Sequence, residues 1–256
     1  MSIARCLLAA ISALVLVSGS ARAETALVAA ASNFAEAAAE IAAVFEAGSD
    51  HRVTLSFGAT GKIYAQVRAG APYDVFLSAD QRRPKMLEGE GFAIKGSRFT
   101  YATGQLTLWS ADSKRIAGDP KTVLAAQSAR AIAIANPALA PYGVAAQQTL
   151  QKLGLWRALV PRLVTGENIG QAFALTATGN AQLGFVARPL LAGQRGKALG
   201  GSRWDVPSDL HAPIRQDAVL LKRAGTNKAA RAFLDYLRDP KARAIMARLG
   251  YKVANE

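Results

Sequence analysis

Short apolar runs alternate with longer amphipathic stretches along most of the chain, and that alternation predicts an α/β fold. Residues 25–31 (TALVAAA) are apolar at successive positions, the form of a strand buried on both faces in a parallel sheet. Beyond Ser32 and Asn33, the residues Phe34, Ala37, Ile41, Val44 and Phe45 recur at three-to-four spacing. That spacing predicts a helix, with Ser or Asn at the junction as its N-cap. Residues 52–57 (RVTLSF) read as a second strand, followed by a GATG turn at 58–61 and a helix at 62–68. A third strand at 74–77 (DVFL) and a helix at 82–90, closed by Gly91, complete a βαβαβα unit. Such a unit is the mark of a doubly wound sheet.

A second unit resembles the first. Strands are expected at 105–110 (QLTLWS), 131–135 (AIAIA), 162–165 and 182–186 (QLGFV), with helices from Tyr142-Gly143 to Gly154 and over 171–178. A last strand at 217–222 (DAVLLK) precedes a helix pair within 228–248, broken at Asp239-Pro240. The expected architecture is α/β with two lobes, each a doubly wound, mainly parallel sheet. Residues 24–104 plus 216–256 form one lobe and 105–215 the other, with hinges near 103–105 and 215–217. No internal repeat and no low-complexity linker interrupts this pattern.

The N-terminus falls outside the pattern. Residues 1–23 carry Arg5, then an apolar run of 12 residues from Cys6 to Val17, then Ala21-Arg22-Ala23. This is the three-part form of a secretory signal peptide with cleavage after Ala23. The run is too short to span a bilayer, which takes about 20 apolar residues. Its removal takes away Cys6, the chain's one cysteine, and leaves an exported protein without thiols.

Composition then changes the picture in one respect. The 256 residues contain 31 Lys+Arg against 18 Asp+Glu, a net charge of +13 that invites a nucleic-acid reading. Loss of Arg5 and Arg22 with the leader lowers it to +11. The remaining basic residues are scattered, with no run of five and no interleaved aromatics, so no nucleic-acid partner is expected. Hydrophobic residues make up 51% of the chain, which excludes disorder, and two histidines leave no material for a His-rich metal site.

Four predicted helix starts share one property: Ser32-Asn33, Thr60-Gly61, Tyr142-Gly143 and Ile169-Gly170 each follow a strand or its loop. A helix N-terminus presents N–H groups without intrahelical partners and about half a positive charge, so it can hold an anion. In open α/β sheets such turns lie where ligands bind. All four are equally compatible with ordinary capping, and spacing alone does not choose. None carries Asp or Glu at its tip; Glu167 lies two residues before Ile169. That donor-only character suits an oxyanion that is never protonated, such as sulfate or molybdate, better than phosphate.

The segments AASNFAEA (30–37), SFGATGKIYAQ (56–66), GAPYDVFLSADQ (70–81), GSRFTYATGQLTLWSA (96–111), ANPALAPYG (135–143), GENIGQAFALTATGNAQLGFVA (166–187) and LGYKV (249–253) carry a resemblance. In order and along nearly the whole mature chain, they resemble the periplasmic molybdate-binding proteins of ABC-type uptake systems. The resemblance implies a type II periplasmic-binding-protein fold in which the two lobes close on molybdate or tungstate. It implies a monomer in the periplasm that delivers the oxyanion to an inner-membrane ABC permease, with no cofactor and no bare metal ion. By position, the oxyanion ligands it implies are Ser32, Thr60, Tyr142 and Ile169, with Asn33 contributing in one branch of the family. Two departures stand out. Ala187 occupies the place of a tyrosine ligand found in one branch, while Tyr142 supplies a hydroxyl in the third turn; Thr60 replaces the usual serine. Asp74 and Asp80 are expected to be structural, since a carboxylate beside a dianion opposes binding. Lys62 is expected to be a solvated surface lysine, with anion steering as its alternative role.

Competing classes are a binding protein for another tetrahedral oxyanion such as sulfate, a hydrolase or transferase using the same cleft, and a basic-surface binder. Against enzymatic chemistry, no cysteine survives leader removal, His51 and His211 lie outside the four turns, and no G-x-S-x-G elbow appears.

Overall fold

A computed structural model describes residues 24–253. The leader predicted at 1–23, with its cleavage point, lies outside the described residues. No helix among those described is long and apolar enough to cross a membrane.

The strands are β1 (Thr25–Ala31), β2 (Arg52–Gly58), β3 (Val75–Leu77), β4 (Phe99–Gly104), β5 (Leu106–Ser110), β6 (Ile132–Ala135), β7 (Leu163–Gly166), β8 (Leu183–Ala187), β9 (Ser202–Asp205) and β10 (Ile214–Leu220). They form two five-stranded sheets, ordered β2-β1-β3-β10-β4 and β7-β6-β8-β5-β9. In each sheet the first three strands are parallel neighbours. The fourth, β10 or β5, is antiparallel to both of its neighbours. Four strands of each sheet therefore run one way, although half of the ladders are antiparallel. The reversed strand is in each case the one that the chain enters from the other sheet, so the two sheets each hold a strand the other sends.

The apolar pattern accounts for where the core forms. Strands β3, β5, β6 and β8 are buried at every position, as continuous apolar runs in sheet interiors require. Helices cover their faces. Against the first sheet, Phe34 meets Tyr101 and Tyr251 edge-on, with centroids 4.8 and 5.4 Å away, and Phe45 meets Phe233 at 5.4 Å. Against the second sheet, Leu150, Phe185 and Leu108 are fully buried.

Two strands differ from expectation. Strand β4 is separated from β5 by Gln105 alone, so one extended run, FTYATGQLTLWS, divides between two sheets. Pattern reading saw its second half as a strand and the boundary between lobes at 104/105, but not strand β4 itself. Strand β9, four residues alternating in exposure, is an edge strand with too little apolar content to register. The last strand starts at Ile214, three residues before the expected 217. There a bulge falls between Gln216 and Asp217.

Candidate functional site

All four helix starts singled out above meet where the two sheets face each other. Ser32 opens a single 3-10 turn, Ser32–Phe34, that leads into the helix Ala35–Ala47. Thr60 is the first residue of the helix Thr60–Arg68, Tyr142 the second of Pro141–Lys152, and Ile169 the first of Ile169–Ala177. Contacts join the turns in pairs across the interface. The Gly170 N–H donates to Ser32 Oγ (3.2 Å), and the Gly61 N–H donates to the Leu139 carbonyl (2.8 Å) in the loop ahead of Tyr142. Asn33 and Tyr142 both bond to Gln216.

Capping by the predicted residues does not occur. Ser32 and Asn33 make no side-chain cap hydrogen bond; the residues preceding the 3-10 turn and the helix are Ala31 and Phe34. Ala59 and Ala140 precede the next two helices and have no side chain able to cap. Only the fourth is capped, by Asn168 Oδ1 accepting from the Gln171 N–H (3.1 Å). Three of the four starts therefore keep N–H groups that a ligand can engage.

The hydroxyls show what kind of ligand that is. Ser32 Oγ accepts from Gly170, Thr60 Oγ1 from the Ala79 N–H (3.2 Å), and Tyr142 Oη from Gln216 Nε2 (3.3 Å). Among the described residues none of the three hydroxyls has an acceptor for its own proton. Each therefore faces its surroundings as a donor. Thr60, Tyr142 and Ile169 are almost wholly buried and Ser32 partly so. Burial raises the Tyr142 pKa, against a smaller opposing effect of the Gln216 hydrogen bond, so the phenol keeps its proton over the usable pH range.

Asn33 is buried, and both protons of its amide nitrogen are engaged, by Gln216 Oε1 (2.9 Å) and Tyr251 Oη (3.1 Å). Its side-chain NH2 is therefore engaged within the protein in this arrangement. Asp74 accepts from the Leu27 N–H (2.8 Å) and pairs with Arg223 (3.2 Å), and Asp80 pairs with Arg83 (2.5 Å). These are structural carboxylates. Ala187, at the end of β8, is buried and contributes no polar group.

Lys62 is paired rather than free. Its ammonium lies 2.9 Å from Glu167, bridging the second and fourth turns with both side chains substantially exposed. Exposed pairs of this kind contribute about 0–1 kcal/mol. Replacing Lys62 by Met should therefore change ligand affinity by less than about fivefold. A titration at low and at high salt checks this; a larger loss that disappears with salt would restore the steering role. Among the described residues no group of three or more His, Cys, Asp or Glu is placed to hold a metal ion.

Residues that pattern reading passed over complete the site. Gln216, Tyr101 and Tyr251 converge on Asn33 and Tyr142, and Gly104 leaves room for them. Apart from the LGYKV and FTYATG segments of the family resemblance, nothing local in the sequence distinguishes them.

Comparison with known proteins gives the same picture from another direction. A family model described as "Bacterial extracellular solute-binding protein" matches residues 26–252. The chain is 49% identical over 225 residues to the molybdate-binding protein ModA of Rhodobacter capsulatus, covering 88% of this chain and 87% of that protein. It is 49% identical over 224 residues to ModA of Azotobacter vinelandii, covering 88% of each. Among solved structures it superimposes on the Azotobacter vinelandii periplasmic molybdate-binding protein with a TM-score of 0.86 and 41% identity, covering 90% of this chain and 100% of that one.

Proposed function

The chain belongs to the bacterial extracellular solute-binding proteins, and from that premise we propose that it is the molybdate-binding component of an ABC-type uptake system. It takes up molybdate, and with it tungstate, in the periplasm and carries the oxyanion as a monomer to an inner-membrane permease. The observation that carries this reading is the set of three hydroxyls whose oxygens already accept from the protein. Together with uncapped helix starts, they offer hydrogen-bond donors to an oxyanion. Molybdate and tungstate offer only acceptors near neutral pH, so each of their oxygens can be satisfied.

Ser32, Thr60 and Tyr142 supply hydroxyl donors in this reading, and Ile169 supplies its N–H at the head of its helix. Binding then requires no carboxylate and no cationic side chain at the ligand, which limits its sensitivity to screening. The chain binds rather than converts its ligand. Motion between open and closed forms takes place where the chain passes between sheets, near 103–105 and over 206–213; the expected second hinge, 215–217, lies inside β10 and is paired with β4.

Calorimetric titration of residues 24–256 tests the assignment. Molybdate and tungstate should bind one-to-one, and sulfate and phosphate far more weakly. Sulfate binding as tight as molybdate would move the protein to the sulfate class, and a salt-steep, ligand-indifferent response would remove the oxyanion reading altogether. Tyr142→Phe should weaken molybdate by about 1.5–3 kcal/mol, the range for a hydrogen bond to a charged group. Unchanged affinity would reduce Tyr142 to a packing residue.

A further inference from the structure

Gln216 touches none of the four helix starts through its backbone, yet its side chain determines what one of them can offer. It lies in β10 at the bulge between Gln216 and Asp217, and it is completely buried. Bulges beside functional sites commonly re-aim a side chain. Here the amide points to the interface between the sheets and meets three partners. Its Oε1 accepts from Asn33 Nδ2 (2.9 Å) and from the Tyr101 hydroxyl (3.0 Å), and its Nε2 donates to Tyr142 Oη (3.3 Å).

The direction of this chain of bonds is fixed from its far end. Tyr251 donates its only proton to the Asn33 carbonyl oxygen (2.7 Å), a group that can only accept. The Tyr251 oxygen is then an acceptor, so the Asn33 amide must turn its nitrogen toward it. The second proton of that nitrogen goes to Gln216, which must present its oxygen there and its nitrogen to Tyr142. Reversing Asn33 would set its oxygen against the Gln216 and Tyr251 oxygens, and reversing Gln216 would set its NH2 against the Asn33 NH2, each at a cost of the order of a lost buried hydrogen bond or more. Asn33 Oδ1, buried and without a hydrogen-bond partner among the described residues, is the group left over by this order. Tyr101 and Tyr251 have pKa values raised well above the usual range by burial, so both remain donors.

Gly104 shows that the meeting of Gln216 and Tyr142 is built into the backbone. A Cβ at that position would fall on the Tyr142 hydroxyl and 2.6 Å from Gln216 Nε2. Only glycine leaves the space in which the two groups touch.

We propose that Gln216 is a specificity-determining positioning residue: by donating to Tyr142 Oη it makes that hydroxyl a donor only, and so excludes oxyanions that carry a proton. The consequence is selective. A protonated tetrahedral oxyanion, such as hydrogen phosphate or hydrogen arsenate, needs one acceptor from the protein, and the Tyr142 lone pair that could serve is already engaged. Sulfate carries no proton at neutral pH, so its rejection rests on other features. The inference depends on Tyr142 being a ligand as proposed above.

The test compares Gln216→Leu, Tyr142→Phe and the double variant by calorimetry with molybdate, and by competition with phosphate and arsenate at pH 7.5. Gln216→Leu should weaken molybdate about tenfold and narrow its preference over phosphate and arsenate while leaving the ratio to sulfate nearly unchanged. In the Tyr142→Phe background the same substitution should do neither. Gln216→Glu, nearly the same shape, guards against a folding defect in the leucine variant. Its carboxylate would accept the Tyr142 proton, so molybdate binding should fall further at pH 8 than at pH 5. Equal losses in the two Tyr142 backgrounds, or selectivity unchanged by Gln216→Leu, would overturn the proposal and assign Gln216 to packing. Wild-type affinity in Tyr142→Phe alone would instead overturn the ligand role of Tyr142, and this inference with it.

Discussion

Replacing Arg98 by alanine is expected to cost about 3 kcal/mol of folding stability, the low end of the range for stranding one member of a buried pair. Asp217 has no exposed surface, and Arg98 Nη1 lies 2.5 Å from its Oδ2. The Thr100 hydroxyl (2.6 Å) and Gln81 Nε2 (3.2 Å) donate to its Oδ1. Those two donors are neutral, so without the guanidinium a buried carboxylate keeps its hydrogen bonds and loses its compensating charge. The hydrogen bond from Asp217 raises the Arg98 pKa, and Glu88 holds the same guanidinium from its other side at 3.0 Å. Arg98 is itself 30% exposed, which is why the lower end of the range applies. Chemical denaturation with an unchanged m-value measures the loss. Adding Asp217→Asn to the alanine variant should recover much of it, because the stranded charge is gone. A loss below about 1 kcal/mol would show that water reaches Asp217.

The position of that pair matters beyond stability. Asp217 follows Gln216 across the bulge, so the ion pair anchors one side of the strand whose other side carries the selectivity chain. Both sit where the chain has just crossed back from the second sheet.

Long apolar runs could be read directly, and with them the two-sheet α/β plan. β1, β3, β6 and β8 are buried at nearly every position, and no alternative element suits five or so consecutive apolar residues between turns. The change of lobe at 104/105 is expected, but strand β4 ahead of it is not, because strand pairing is chosen by partners far away in sequence, and an extended run looks the same whether it stays in one sheet or divides. Helix starts are visible as turns before amphipathic stretches, but whether their side chains cap the helix is not. Ser32 and Thr60 have the side chains of caps and instead receive hydrogen bonds from residues 138 and 19 positions away. The Asn33–Gln216 bond spans 183 positions and the Asn33–Tyr251 bond 218. A single glutamine within an apolar strand carries no local signal of such a role. Its message lies only in the fold, where a buried amide must have partners and those partners fix one another's direction.

Saturating molybdate is expected to raise the melting temperature of residues 24–256 by about 8–16 °C. A ligand at a thousandfold excess over its Kd stabilises the state that binds it by about 4 kcal/mol. For a chain of this size each kilocalorie shifts the midpoint by about 2–4 °C. The shift should reach both halves of the molecule, because the proposed ligands are Ser32 and Thr60 from one lobe and Tyr142 and Ile169 from the other. The protein's own polar contacts across the interface near the site include Gly61 to Leu139, Arg83 to Ala138, Ser32 to Gly170, Gln216 to Tyr142, Lys62 to Glu167, and Glu36 to the Gln194 N–H. Each such pair contributes little by itself, so a ligand that joins the four turns should have an effect larger than that of any one of them. In Tyr142→Phe at the same molybdate concentration the shift should shrink by about 3–12 °C, in step with a loss of about 1.5–3 kcal/mol in binding. Phosphate at that concentration should move the midpoint little in the wild type and more in Gln216→Leu. A wild-type midpoint that does not respond to molybdate, or responds equally to sulfate, would mean that the four turns do not close on this anion.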